Sequence, residues 1–148
     1  MLVEEFGLDC AIDYKNDDVE QALTRIGGGI HVYFDNVGGP LLDAVLPHMA
    51  HYGRVAICGL VATYTADSAT PGPRRFDQVL MRRLSIAGFF SPDFAHRGPE
   101  YNALLQPWLR AGRITLPFDI TTGLENLLTA YAKLFTGGNI GKVLVKLT

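Results

Sequence analysis

Apolar runs of strand length alternate along the chain with stretches of helical periodicity. Five runs are candidate strands, at residues 10–14, 30–35, 53–59, 84–90 and 141–148. Helical spacing of apolar residues predicts helices between them, at residues 17–27, 40–49, 76–80, 99–112 and 124–135. Helices of this length allow right-handed crossovers between parallel strands. The pattern therefore predicts an α/β fold with a mainly parallel sheet flanked by helices.

Local signals support several of these boundaries. Asp17 with Glu20 three positions later is typical of a capping box, and Gly27 begins a glycine triplet that ends the helix. The runs at 53–59 and 84–90 are nearly all apolar, which predicts strands buried on both faces. Residues 114–120 predict extended structure around Pro117, and residues 61–75 predict an exposed functional loop or a disordered link.

Three short motifs follow predicted strands, at Asp35–Gly39, Cys58–Leu60 and Phe89–Ser91. In an open parallel sheet, ligands bind beyond the carboxyl ends of the strands. Gly38 and Gly39 would let a backbone approach a ligand at a helix N-terminus. A tight strand-to-helix turn explains the same dipeptide and is the favoured interpretation when it is taken alone.

Other site signatures are weak or missing. The sequence contains no G-x-G-x-x-G, no P-loop and no G-x-S-x-G. His48 and His51 have no third ligand at metal-site spacing, which favours surface histidines. A basic cluster could meet a phosphate, although a solvated surface explains it better. Its members are Arg74, Arg75, Arg82 and Arg83.

Tyr64 follows the predicted strand at 53–59 and lies in the irregular loop. A tyrosine hydroxyl can donate a hydrogen bond to a developing enolate or alkoxide. The alternative is a ring that simply covers the loop, and local sequence alone favours it.

Composition narrows the class of protein. The 148 residues suit one ordinary domain, with 48% hydrophobic and 19% charged residues to build a core. A net charge of −2 gives no general attraction to nucleic acid or anionic membranes. Cys10 and Cys58 are too few for a disulfide framework, and no apolar run is long enough to span a membrane. These features favour a cytoplasmic protein with no nucleic-acid or membrane partner.

Several segments occurring in order resemble one family. They are residues 11–15 (AIDYK), 33–39 (YFDNVGG), 53–59 (GRVAICG), 62–64 (ATY), 71–73 (PGP) and 138–142 (GNIGK). The series resembles the medium-chain dehydrogenase/reductase superfamily. More narrowly, it resembles the zinc-free NADP-dependent alkenal reductases, which include prostaglandin reductases and curcumin-reductase-like enzymes.

The resemblance implies an incomplete Rossmann-like domain. Family members are about twice as long, with a GroES-like catalytic domain before the cofactor domain. Residues 1–148 would then be the C-terminal part of the NADP-binding domain, without its first two strands and glycine-rich loop. Members pair as dimers through the strand corresponding to Leu84–Phe90, so a homo-oligomer is expected. The final segment, 141–148, would normally return to the catalytic domain and is expected to be unpaired here.

The family reaction transfers a hydride from NADPH to the β-carbon of an α,β-unsaturated ketone or aldehyde. The resemblance assigns Tyr64 to catalysis, as the donor to the enolate, and assigns no residue to a metal. The cofactor-binding residues it implies are Tyr14, Asn36, Cys58, Gly59, Leu60, Thr63, Tyr64, Phe89, Phe90, Ser91 and Asn139. The alternative is a non-catalytic α/β module that acts only through self-association or a partner.

Overall fold

The computed structural model describes residues 2–64 and 71–147. The chain divides into two compact units, Met1–His96 (unit 1) and Arg97–Thr148 (unit 2), and each is considered by itself.

Unit 1 alternates helices with strands. Its elements are α1 (Val19–Ile26), β1 (Ile30–Asp35), α2 (Gly39–Val45), β2 (Met49–Ile57), α3 (Asp77–Arg82) and β3 (Ser85–Gly88). Unit 2 contains α4 (Gly98–Arg110), β4 (Phe118–Thr122), α5 (Leu127–Thr136) and β5 (Lys142–Lys146). Short 3₁₀ helices occupy Leu46–His48, Val61–Thr63, Ser91–Arg97 and Leu124–Asn126.

The strand pairs in the described part of the chain are parallel. Unit 1 holds a three-stranded sheet in the order β1-β2-β3, and unit 2 holds the pair β4-β5. The β1–β2 register runs to Asp35 opposite Ile57, so both strands reach their carboxyl ends together. The expected α/β class with parallel sheets and flanking helices is confirmed.

The candidate strand at 10–14 is wrong, because this segment is irregular. The Asp13 side chain organises a turn instead. Its carboxylate accepts hydrogen bonds from the Lys15 amide at 3.1 Å and the Asn16 side chain at 2.6 Å. These bonds hold the pKa of the Asp13 carboxyl below its usual range. An aspartate that bonds its neighbouring backbone offers the chain an alternative to a strand ladder.

The predicted start of the first helix is one residue early. Asp18 is the N-cap and accepts from the Gln21 amide at 3.0 Å. Glu20 therefore falls in the first turn and pairs with Arg75 at 3.2 Å instead of closing a capping box. The predicted end is confirmed, since Gly27 caps α1 with φ 68°.

The core of unit 1 lies between α2, its following turn and the sheet. Buried there are Leu42, Val45, Leu46, Met49, Val55 and Leu84. The prediction that 84–90 is a strand buried on both faces is wrong, because every residue of β3 is exposed. Within residues 2–64 and 71–147, β3 is an edge strand whose sheet partner is β2, and Leu84 is the residue of this run that belongs to the core.

Unit 2 is a compact β4-α5-β5 crossover. An ion pair of 2.7 Å between Lys133 and Asp119 joins α5 to β4. The resemblance led us to expect an unpaired final segment, and this is wrong. β5 pairs with β4 over its whole length, from Phe118 opposite Lys142 to Thr122 opposite Lys146.

Replacing Leu46 with alanine should destabilise unit 1, because Leu46 is fully buried in its core. Large-to-small changes at such positions cost about 2–5 kcal/mol of unfolding free energy. Leu128→Ala is the control, since Leu128 is 79% exposed and should change stability by less than about 0.5 kcal/mol. Urea unfolding measures both variants, and equal losses would contradict this description of the core.

Candidate functional site

The carboxyl ends of β1 and β2 continue past the sheet as two hydrogen-bonded segments, which we call the strand-end segments, 35–38 and 58–62. The Asp35 carbonyl accepts from the Cys58 amide at 2.8 Å and the Gly59 amide at 3.1 Å. Two further bonds join the segments, Val61 N to Asn36 O at 3.2 Å and Ala62 N to Val37 O at 3.0 Å. The two motifs that the sequence singled out are therefore one structural feature.

Glycines make this close approach possible. A Cβ on Gly38 would lie 2.6 Å from the Leu60 side chain, and Gly38 also has φ 68°. A Cβ on Gly59 would lie 3.0 Å from the Asn36 carbonyl oxygen. The absence of a side chain at Gly38 and Gly59 thus allows the two strand-end segments to lie in contact.

The side chain of Asp35 is buried within the turn that follows β1 and stabilises it. Its side chain is fully buried, and Oδ1 accepts from the Val37 and Gly38 amides, each at 2.9 Å. These two amides face the carboxylate, which supports the tight-turn interpretation of the Gly38–Gly39 dipeptide. Among the described residues, the buried Oδ2 has no hydrogen-bond partner.

Tyr33 completes the network, because its hydroxyl donates to the same Asp35 oxygen at 3.1 Å. Burial raises the pKa of the Tyr33 phenol well above its usual range, and the adjacent Asp35 charge and hydrogen bond raise it further. Sequence reasoning missed both roles. The available signal was a charged residue that ends a largely apolar strand three positions before a pair of glycines.

The strand-end segments present several of the predicted site residues. Asn36 is exposed beside the turn, while Cys58 and Gly59 are partly buried. Leu60 is 39% exposed, and its carbonyl accepts from the Thr63 hydroxyl at 2.8 Å. These residues lie together at the carboxyl ends of β1 and β2.

Tyr64 lies just beyond the second segment and is 70% exposed. Its hydroxyl accepts from the Leu60 amide at 3.5 Å, the outer limit of hydrogen bonding. Such a weak contact leaves the hydroxyl able to turn toward another acceptor. The following residues, 65–70, lie outside the described part of the predicted 61–75 loop.

The third motif joins the same end of the sheet. The Phe89 amide donates to the Ile57 carbonyl at 2.8 Å. Its ring stacks on Phe94 with centroids 4.9 Å apart and meets Phe34 edge-on at 6.0 Å. Phe90 is 66% exposed, and Ser91 begins the next 3₁₀ helix. Phe34 and Phe94 are members of this aromatic cluster that the sequence did not reveal.

Tyr14 lies beside the first segment. It lines an apolar groove of about 280 Å³ together with Val37, Gly38, Leu41 and Ala62. The structure thus brings Tyr14 to the strand-end region.

A second cleft, of about 450 Å³, lies between α2 and residues 71–75. The Asp43 carboxylate accepts the Arg74 amide at 2.7 Å and the Arg75 amide at 3.3 Å. The far end of the 61–75 loop is therefore anchored on α2.

The arginines of the basic cluster make separate contacts. Arg75 pairs with Glu20, Arg82 donates to the Met49 carbonyl at 2.6 Å, and Arg83 lies over the Tyr52 ring at 5.4 Å. These contacts support the interpretation of the cluster as surface structure.

Asn139 lies in unit 2, in the turn before β5, and its side-chain amide donates to the Gly141 carbonyl at 2.9 Å.

The described residues bring no group of three or more His, Cys, Asp or Glu side chains into metal-binding proximity. Residues 2–64 and 71–147 therefore supply no donor set for zinc. Within the same residues, no helix is long and apolar enough to cross a membrane.

Comparison with known proteins identifies the family. A family model described as zinc-binding dehydrogenase matches residues 6–145. The chain belongs to the zinc-binding dehydrogenase family. The resemblance seen in the sequence is thereby confirmed, although the family's name implies a metal for which the described residues show no ligands.

Several individual members of this family are similar to the chain. The chain is 40% identical to an NADP-dependent 2-alkenal reductase of Nicotiana tabacum, covering 98% of this chain and 43% of the relative. It is 36% identical to the NADPH-dependent curcumin reductase of Escherichia coli, covering 97% and 43%. Among solved structures, CurA from Vibrio vulnificus in complex with NADPH matches with TM-score 0.86 and 36% identity, over 99% of this chain and 45% of that one. The chain spans less than half the length of these relatives.

Tyr33→Phe should make stability less sensitive to alkaline pH. The folded-state pKa of Tyr33 is raised above its unfolded value of about 10, so its contribution is complete below that pH and is lost as pH rises. Wild-type unfolding free energy should therefore fall more steeply than that of the variant between about pH 10 and 11. Urea unfolding at both pH values measures the slopes, and equal slopes would contradict the network.

Proposed function

We propose that residues 1–148 form the cofactor-binding C-terminal part of an NADP-dependent reductase that acts on α,β-unsaturated ketones or aldehydes. In this proposal, the longer relatives' preceding region corresponds to a GroES-like domain and the first part of the Rossmann-like domain. The main support is the hydrogen-bonded pair of strand-end segments, in a chain that matches an NADPH complex with TM-score 0.86. The reductase names of several relatives support the reaction class.

The chain's residues fit a nicotinamide dinucleotide at the strand ends. Asn36 offers an exposed amide, and the backbone of Cys58–Leu60 forms the adjoining wall. Exposed Phe90 and neighbouring Ser91 would flank the nicotinamide, and Tyr14 beside the apolar groove would lie near the adenosine 2′-phosphate. When bound, NADPH supplies the hydride.

The proposed cofactor-binding set also includes Asn139, Thr63 and Phe89. Asn139 would hydrogen-bond the cofactor, for which its side chain would exchange its present bond to Gly141. Thr63 and Phe89 would shape the wall, since one bonds the Leu60 carbonyl and the other packs on Phe94.

Tyr64 is the proposed catalytic residue. Hydride addition to the β-carbon places negative charge on the substrate carbonyl oxygen, and a hydrogen-bond donor there stabilises the enolate. The Tyr64 hydroxyl is exposed and only weakly engaged by Leu60, so it can donate to that oxygen. The proposed reaction is zinc-independent, because this hydrogen bond performs the task of a Lewis acid. We also propose a cytoplasmic location, which the free thiols of Cys10 and Cys58 support.

The alternative is a module that acts through self-association. Every residue of the edge strand β3 is exposed, and β3 lies within Leu84–Phe90, where a homo-oligomer would pair. This surface supports pairing with a second copy in either proposal.

Asn36→Ala should weaken NADPH binding about five- to tenfold, the effect of one lost hydrogen bond. Calorimetric titration of the chain with NADPH, and with NADH for comparison, measures this against wild type. Asn102→Ala is the matched control, because Asn102 is an exposed residue of α4. No wild-type binding at millimolar NADPH would contradict the reductase proposal. A self-associating chain in light scattering would then favour the alternative.

Tyr64→Phe should lower enone turnover about 100-fold, the usual cost of removing one donor to an oxyanion. NADPH affinity should stay close to wild type, since the hydroxyl is proposed to act on the substrate. NADPH oxidation with an enone substrate measures turnover, and Tyr131→Phe, on the exposed face of α5, is the control. A variant that loses cofactor affinity instead would show that Tyr64 is a binding or structural residue.

A further inference from the structure

We propose that Asp35 is a positioning residue for the cofactor site, and this inference rests on the proposed function. Its buried carboxylate and its backbone carbonyl together fix where Asn36 and the second strand-end segment stand. Asp35 itself has no exposed surface. It would therefore act through its neighbours without touching the cofactor.

The carboxylate fixes the turn that carries Asn36. One oxygen accepts three donors, the Tyr33 hydroxyl at 3.1 Å and the Val37 and Gly38 amides at 2.9 Å. The Tyr33 hydroxyl comes from within β1, while the two amides come from the turn. Asn36 lies between these anchored points, so its backbone has little freedom to move.

The carbonyl of the same residue fixes the second segment. It accepts the Cys58 amide at 2.8 Å and the Gly59 amide at 3.1 Å. The next two bonds, from Val61 to Asn36 and from Ala62 to Val37, extend the contact outward. A shift of Asp35 would therefore move both walls of the proposed site together.

The negative charge of the Asp35 carboxylate indicates a role beyond stabilising the fold. A buried carboxylate carries a desolvation penalty, and Oδ2 has no partner among the described residues to offset it. An asparagine could present one acceptor oxygen to the same two amides at a smaller penalty. What the carboxylate adds is a negative charge on the acceptor, because hydrogen bonds to an ionised acceptor are stronger than those to a neutral amide and hold the turn in one geometry.

Asp35→Asn tests the proposal, with Asp119→Asn as the matched control. Asp119 is a largely buried carboxylate of unit 2 that loses its 2.7 Å ion pair to Lys133 in the same substitution. We expect Asp35→Asn to raise the NADPH Kd of the chain about tenfold or more, and Asp119→Asn to leave it within about twofold. Thermal unfolding of both variants separates this effect from lost stability. An unchanged Kd for Asp35→Asn would overturn the proposal.

Gly59→Ala serves if Asp35→Asn does not fold. The new Cβ would lie 3.0 Å from the Asn36 carbonyl oxygen and push the segments apart without altering the carboxylate. Gly98→Ala is its control, because a Cβ there meets nothing within 4 Å. We expect a raised NADPH Kd for Gly59→Ala only, and equal affinities for the two variants would overturn the proposal.

Amide hydrogen exchange separates this inference from the proposed function. Failure of the wild-type chain to bind NADPH contradicts the proposed function, whereas exchange reports on positioning without cofactor. Asp35→Asn should accelerate exchange at residues 36–38 and 58–62 more than at the rest of unit 1. Uniform acceleration through unit 1 would show that Asp35 is merely structural and would overturn the inference.

Discussion

The site depends on hydrogen bonds that converge on one buried residue at the end of β1. Asp35 accepts three bonds through its carboxylate and two through its carbonyl. Parallel strands need a long crossover connection, so the chain leaves the sheet in a loop at the end of each strand. Here the ladder is in effect extended by backbone bonds between the loops, so that two chain segments form one continuous wall. Glycines at 38 and 59 leave the space that this contact needs.

Burial is unevenly distributed between the units. Unit 1 encloses a small core around Leu46 and Met49, both with no exposed surface. Among the described residues of unit 2, Ala130 is the buried apolar residue. The sheet of this unit is the parallel pair β4-β5, which is connected by one helix. A two-stranded sheet gains little stability by itself. Unit 1 therefore supplies the rigid frame on which the strand-end segments stand.

Local sequence patterns predicted most of the elements, because helix periodicity and glycine stops are short-range properties. The spacing of apolar residues placed α2 and β2 within a few residues, and Gly27 marked the end of α1. The prediction of a strand at residues 10–14 is wrong because the Asp13 carboxylate accepts a hydrogen bond from the Lys15 amide and forms a turn there. The exposure of β3 depends on which strands pair, which no local pattern contains.

The candidate site was predictable as a position but not as a network. Strand ends in a parallel sheet were the expected place for a ligand, and the motifs there did come together. The partly buried hydrogen bond from Tyr33 to Asp35 was not predictable, because alternation places residues i and i+2 on one face without saying what they contact. The Phe34–Phe89 contact joins β1 to the end of β3 and depends on tertiary structure.

An NMR titration of the isotope-labelled chain with NADPH, in which backbone amide shifts are followed residue by residue, tests most directly whether the strand-end segments bind the cofactor. We expect the largest changes at residues 36–39, 58–64 and 89–91, with small changes in the core around Leu46. Saturable changes confined to other parts of the chain, or no changes at millimolar NADPH, would contradict it.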